Sequence, residues 1–69
     1  MPLDPAKVRA RRTRLRLSQA AAAARVGMAQ SHWARIEAGQ RSDPQLSTAE
    51  KIAHALRCRL TALCAAPQR

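Results

Sequence analysis

The chain predicts an all-α fold, and three features of its 69 residues carry that reading. Apolar residues make up 46% of the sequence but half of them are alanine, with Trp33 the single aromatic, so the bulky side chains that favour strands are scarce. No run of β-branched residues alternates with polar ones, as a half-buried strand requires. The four prolines fall near element ends. A chain of this length has room for one domain with a small core and marginal stability. That domain is expected over residues 5–65, with short flexible ends at 1–4 and 66–69.

Five helices are expected in a compact bundle. Asp4 can cap the first and Pro5 suits its opening position, where the missing N–H does no harm; the helix should run to about Arg16, with Val8, Arg12 and Leu15 on its inner stripe. Ser18 is a natural N-cap for a second helix over Gln19 to Val26, whose five consecutive alanines let another helix lie close. Gly27 supplies the positive φ that a sharp helix-to-helix turn needs. A third helix covers Gln30 to Ala38 and stops at Gly39. After a loop from Gly39 to Leu46 containing Pro44, Ser47 and Glu50 read as a capping box. It would open a fourth helix, in which Ala49, Ile52, Ala53 and Leu56 recur at i, i+3, i+4 and i+7. A short fifth helix, about Leu60 to Cys64, contributes Leu60 and Leu63 to the interior before Pro67.

The formal net charge is +9, from thirteen Lys and Arg against four Asp and Glu, and eleven of the thirteen are Arg. Arginine is the residue type best matched to phosphate oxygens and guanine edges, so an acidic partner is expected. Lys7, Arg9, Arg11, Arg12, Arg14 and Arg16 crowd the first sixteen residues against Asp4 alone, and Arg9 and Arg12 are candidate phosphate contacts. The plainer alternative is a solvated arginine-rich helix. A membrane partner is not expected: the arginines surround the first helix, no run could span a bilayer, and MPLDPAK does not resemble a secretion signal.

No enzymatic constellation stands out. There is no Ser/His/Asp set, no Cys with a partner His placed for nucleophilic chemistry and no phosphate-cradling glycine loop, so neither catalysis nor a cofactor is expected. Cys58 and Cys64, six apart, read as small buried hydrophobes, with a redox or crosslinking role as the alternative. His54 and Cys58 are spaced i, i+4, but His32 is the only other histidine, so no metal site is expected.

The segment Leu17 to Gln40, LSQAAAAARVGMAQSHWARIEAGQ, is the most informative in the chain. On a wheel of its second half, Trp33 and Ile36 point one way, with Ala29 aligned one turn earlier. Ser31, Ala34, Arg35 and Ala38 fall on the other face, and Gln30 stands at the exposed amino end. A helix buried along one stripe and carrying small or hydrogen-bonding groups along the other suits a DNA major groove. Gln pairs bidentately with adenine, Arg with guanine and Ser with several bases, which makes Gln30, Ser31 and Arg35 the candidate base readers.

The chain resembles the lambda repressor/Cro-like, or XRE-like, helix-turn-helix family from about Val8 to Leu63. The resemblance is carried by Arg12, Leu17-Ser18-Gln19, Ala23, Val26-Gly27, Gln30-Ser31, the run Arg35-Ile36-Glu37-Ala38-Gly39, Pro44 and Ile52-Ala53-His54-Ala55-Leu56. It implies a bundle of five helices whose third enters the major groove while the second crosses the phosphate backbone. On that resemblance Gln30, Ser31 and Arg35 match positions that read bases. Gln19 matches one that binds phosphate, and Gln40 and Arg41 lie in a loop that touches the backbone.

Arg12 and Glu37 match a pair that forms an ion pair. The wheel agrees, since each would be costly to bury alone; the alternative has Arg12 reaching out to phosphate. Relative to the family pattern, Ala29 replaces the usual Ser or Thr cap of the third helix and Arg57 replaces the usual Gly after the fourth. Each change should cost on the order of 1 kcal/mol. Trp33 stands where an aliphatic residue is usual and is expected to be buried rather than stacked on bases.

These readings lead to an expected role as a prokaryotic, cytoplasmic, nucleoid-associated DNA-binding transcriptional regulator, a repressor that acts by occupying its site. An antitoxin-type module with a toxin or other protein partner is the alternative, and an arginine-driven nonspecific nucleic-acid binder is the third reading. A homodimer on a palindromic site is expected, paired through Leu60, Leu63 and Cys64.

Overall fold

The computed structural model describes residues 2–40 and 44–65. They form α1 (Pro5–Arg14), α2 (Gln19–Val26), α3 (Gln30–Glu37) and α4 (Leu46–Ala55), followed by a single 3-10 turn at Leu60–Ala62. The all-helical class holds, but the described residues contain four α-helices rather than five. The expected fifth contracts to that one turn, where Ala62 N donates to Arg59 O and Leu63 N to Leu60 O.

The first two helices start on side-chain caps. The Asp4 carboxylate accepts from Ala6 N (2.9 Å) and Lys7 N (3.4 Å), and Ser18 Oγ accepts from Ala21 N (3.0 Å). Neither α3 nor α4 has a side-chain cap, Ala29 and Gln45 standing at their starts. The expected capping box at Ser47 and Glu50 therefore does not form. The helix begins two residues earlier, where Ala49 N donates to Gln45 O (2.9 Å), and this backbone bond places Ser47 inside the first turn.

Each α-helix is followed, at its end, by a residue with positive φ: Arg16 (57°), Gly27 (79°), Gly39 (82°) and Arg57 (54°). This left-handed conformation ends α1 at Arg14 rather than Arg16 and α3 at Glu37 rather than Ala38. Glycine tolerates it freely, whereas Arg16 and Arg57 hold their Cβ atoms against the steric preference of L-residues.

The core gathers Val8 from α1, Ala22 and Ala23 from α2, Trp33 and Ile36 from α3, and Ala49, Ile52 and Ala53 from α4, closed by Leu3, Leu56 and Leu63. Trp33 is its largest member and fully buried; the small Ala22 and Ala23 of α2 belong to the same cluster and leave it room. Leu3 corrects the expectation of a loose end at residues 1–4. It is 2% exposed and forms an antiparallel bridge with Cys64, flanked by Asp4 N to Leu63 O (2.8 Å) and Ala65 N to Pro2 O (3.2 Å). Residues 66–69, the other expected loose end, lie outside the described residues.

The expected pairing surface at Leu60, Leu63 and Cys64 is corrected at Leu63 alone. Leu63 is 1% exposed and spent on the core, Leu60 is half-buried against it, and the half-buried Cys64 donates its thiol to Leu60 O (3.2 Å). The two cysteines are free and only partly buried, not fully interior as expected, and burial pushes the Cys58 thiol pKa up against the opposing pull of Arg11.

Lys7 and Arg11 are both turned onto carbonyls at the far end of the chain. Arg11 donates from Nε to Leu56 O (3.0 Å) and from Nη2 to Arg57 O (2.8 Å), which caps the carbonyl end of α4, and Lys7 Nζ donates to Cys64 O (3.0 Å). Arg57→Gly should raise the stability of the folded chain by about 1 kcal/mol by removing the strained Cβ, and Ala29→Ser should add about 1 kcal/mol by capping α3. Thermal melts of the two single variants check both; a melting temperature lowered by Arg57→Gly would mean that the Arg57 side chain contributes more than its backbone costs.

Candidate nucleic-acid interface

The turn between α2 and α3 is short because Gly27 reverses the chain at φ 79°, after which Ala29 is extended (φ −70°, ψ 148°) and α3 begins at Gln30. Met28 N donates to Ala23 O (3.0 Å), which closes the end of α2 against the turn. Nothing lies within 4 Å of a Cβ built at Gly27, so the glycine answers to backbone conformation and not to crowding.

On α3, Trp33 and Ile36 are fully buried while Gln30, Ser31, Arg35 and Ala38 are exposed and Ala34 is partly so. The exposed residues form one continuous face with small side chains between the two longer polar ones, Gln30 and Arg35. Ala29, placed by the wheel on the inner stripe, is exposed, because it lies before the helix in extended backbone and escapes helical periodicity. No acidic residue stands in the first turn of α2 or α3.

The orientation of α3 is set by Glu37. Its Oε2 accepts from Arg12 Nε (2.5 Å) and from the Trp33 indole N–H, and its Oε1 accepts from Arg12 Nη2 (3.0 Å) and Gln19 Nε2 (3.3 Å). Arg12 Nη1 also donates to Leu17 O (2.7 Å), at the approach to α2. The side chains of Arg12 and Glu37 are 11% and 4% exposed. Burial alone would raise the Glu37 pKa, but the bonds from Arg12, Trp33 and Gln19 and the Arg12 charge outweigh it and hold the carboxyl below its ordinary value. The Glu37 bond likewise raises the Arg12 pKa, against the effect of burial.

This arrangement corrects one expected contact. Arg12 cannot serve as a phosphate ligand while all of its guanidinium nitrogens are committed to Glu37 and Leu17 in the interior. Gln19 is half-buried at the start of α2, with one amide hydrogen on Glu37, leaving its remaining amide groups for a ligand. Arg9 is exposed on α1. Gln40 is exposed and its N donates to Arg35 O (2.9 Å), which fastens the start of the loop to the last turn of α3; Arg41 lies outside the described residues.

The indole bond to Glu37 escaped the sequence reading, although the i, i+4 spacing of Trp33 and Glu37 carries the signal. Among the described residues no group of three or more His, Cys, Asp and Glu gathers, and no helix is long and apolar enough to cross a membrane.

A buried-backed helix set by a glycine turn against a second helix, with a polar outer face and cations around it, defines a helix-turn-helix DNA-binding domain. A family profile described as helix-turn-helix matches residues 8–63, and the chain belongs to that family, the lambda repressor/Cro-like or XRE-like group of DNA-binding regulators. The crystal structure of apo-HppE is similar, with a TM-score of 0.83 and 26% identity over 88% of this chain and 34% of that one. The chain thus spans about a third of the length of apo-HppE. No curated protein matches.

Glu37→Gln should destabilise the domain by about 3 kcal/mol, since it leaves the Arg12 charge buried without a counter-charge. Because the folded Glu37 pKa is depressed, its contribution is fully present above the ordinary carboxylate value and is lost as pH falls through the folded one. Melting temperature should therefore drop on acidification in the wild type. An equally steep drop in Glu37→Gln would place the acid sensitivity elsewhere.

Proposed function

We propose that the protein is a sequence-specific double-stranded DNA-binding transcriptional regulator, a repressor that acts by occupying its site, with α3 lying in the major groove. The observation that carries this reading is the division of α3 into a fully buried Trp33 and Ile36 stripe and an exposed face holding Gln30, Ser31 and Arg35. In this reading Arg35 pairs with guanine, Gln30 with adenine, and Ser31 with either class of base edge. Gln19, Arg9 and Gln40 meet phosphates, and Arg41 joins them from the loop.

A helix of eight residues reads few base pairs, so two copies bound to an inverted repeat, with their α3 helices roughly 34 Å apart, supply the remaining affinity. Of the apolar patch expected to pair them, Leu63 is buried within one copy and Leu60 and Cys64 are half-buried, so in this proposal the DNA site itself brings the copies together.

Selection of bound duplexes from a random pool tests the role directly. An enriched sequence should be preferred over random duplex by about a thousandfold, with both affinities falling as salt rises. Arg35→Ala should cost about 1–3 kcal/mol on the enriched site and relax one base preference, while Arg9→Ala should weaken all duplexes about equally. No enrichment, or a base preference untouched by Arg35→Ala, would overturn the assignment of the reading face.

A further inference from the structure

The cations of α1 face two different ways. On one flank Arg12 reaches α3 through Glu37, and the Pro5 ring lies 3.6 Å from where a Cβ would stand at Gly39, just after α3. On the other flank Lys7 and Arg11 bond the carbonyls of Cys64, Leu56 and Arg57, which ties α1 to the end of α4 and the 3-10 turn. Helical spacing puts Arg14 with them, three residues beyond Arg11 and seven beyond Lys7. Arg57 and Arg59 are exposed in the segment that this flank holds.

Between α1 and the 3-10 turn lies an open cleft of about 290 Å³, lined by Lys7, Ala10, Arg11, Arg14 and Ala62. Its walls are cationic and its apolar members are two exposed alanines, with no carboxylate among the lining residues. Of the acids among the described residues, Asp4 caps α1, Glu37 is interior and Glu50 lines a separate cleft beside Arg25 and Lys51.

We propose that this cleft docks an acidic segment of a partner protein, with carboxylates on Lys7 and Arg14 in the cleft and, further along the segment, on Arg57 and Arg59 of the stretch that Arg11 ties to it, and a small apolar side chain seated between Ala10 and Ala62. This goes beyond DNA reading, because the cleft and α3 lie against different flanks of α1. Charge complementarity selects the occupant. A second copy of the chain would bring like charges together. A duplex is a stiff convex rod with no apolar side chain to offer a cleft only a few side chains in volume. Carboxylates on a flexible segment match the arginine fork in both shape and charge. Arg57 and Arg59 line a separate open depression with His54 and Cys58, and the Arg57 carbonyl is bonded by Arg11 of the cleft, so an extended segment leaving the cleft has further cations to meet.

The test is fluorescence anisotropy with a short labelled peptide repeating Glu-Ala-Glu-Leu, titrated with the free protein and with protein saturated by its selected duplex. The peptide should bind both forms, and more tightly than an equally charged Glu-Ser-Glu-Gly repeat. The combined variant Arg14→Gln, Arg57→Gly, Arg59→Gln should bind the peptide about tenfold more weakly and keep its base preference on DNA. Because Arg57→Gly relieves backbone strain, a melting temperature near or above that of the wild type separates lost docking from lost folding.

Three results would overturn the proposal. One is failure of the peptide to bind. Another is displacement of the peptide by the duplex together with loss in Arg35→Ala, which would put it on the reading face. The third is a combined variant that loses a second duplex and not the peptide. If no duplex is selected at all, the reading of α3 fails, while the peptide titration of the free protein still decides the cleft.

Discussion

One carboxylate fixes how three helices meet. Glu37, at the end of α3, is shared by Arg12 of α1, Gln19 of α2 and Trp33 of α3 itself, and Arg12 continues to the carbonyl of Leu17 just before α2. Desolvating two charges is expensive, and the arrangement is tolerable because every polar atom finds a partner: among the described residues no buried side-chain nitrogen or oxygen is left unpaired. An apolar contact in its place could slide or rotate. A forked guanidinium on a carboxylate that also receives an indole N–H has one geometry, so the angle of α3 to α1 and α2 is specified as well as stabilised. The exposed face of α3 inherits that angle, because Trp33 is bonded to Glu37 on the side away from Arg35.

A second constraint comes from how the helices stop. All four leave through a left-handed residue, but only α2 and α3 use glycine, at the two positions that bracket α3. At Gly27 the turn into α3 needs the conformation and nothing crowds it, while at Gly39 the Pro5 ring stands in ordinary contact range, so there the end of α3 is also packed against the start of α1. The helices without glycine, α1 and α4, end in Arg16 and Arg57, and the end of α4 is compensated by Arg11, which bonds the carbonyls of both Leu56 and Arg57. At the end of α4 strain is thus offset by a side chain that caps the helix, and around α3 it is avoided.

Much of this was legible in the sequence where a single residue type has a single backbone consequence. Ser18 and Gly27 bracket α2, Asp4 and Pro5 open α1, and the spacing of Trp33 and Ile36 gave the inner stripe of α3. What escaped were features decided by competition or by distant contacts. Ser47 and Glu50 have the residue types of a capping box, yet a backbone bond to Gln45 carries the helix past them. Leu3 carries no local signal of burial, since its partner segment lies some sixty residues away and only the closed bundle brings Cys64 beside it. Arg12 had two readings from periodicity alone, and only the position of Glu37 decides between a guanidinium that faces outward and one sealed in the core.

The distribution of the remaining charge follows from the same economy of partners. A chain of net charge +9 with a small core repels itself in the folded state, and it has too few carboxylates to neutralise that charge internally. Part of the repulsion is absorbed without carboxylates, by turning Lys7 and Arg11 onto backbone carbonyls, whose lone pairs would otherwise face water. Arg12 takes the buried Glu37. Among the described residues the cations left over are exposed on all four helices and after α4, and the chain has too few carboxylates to satisfy them. Their neutralisation has to come from molecules of opposite charge, and the separation of α3 from the cleft beside the 3-10 turn by the body of α1 allows two such molecules to be held together.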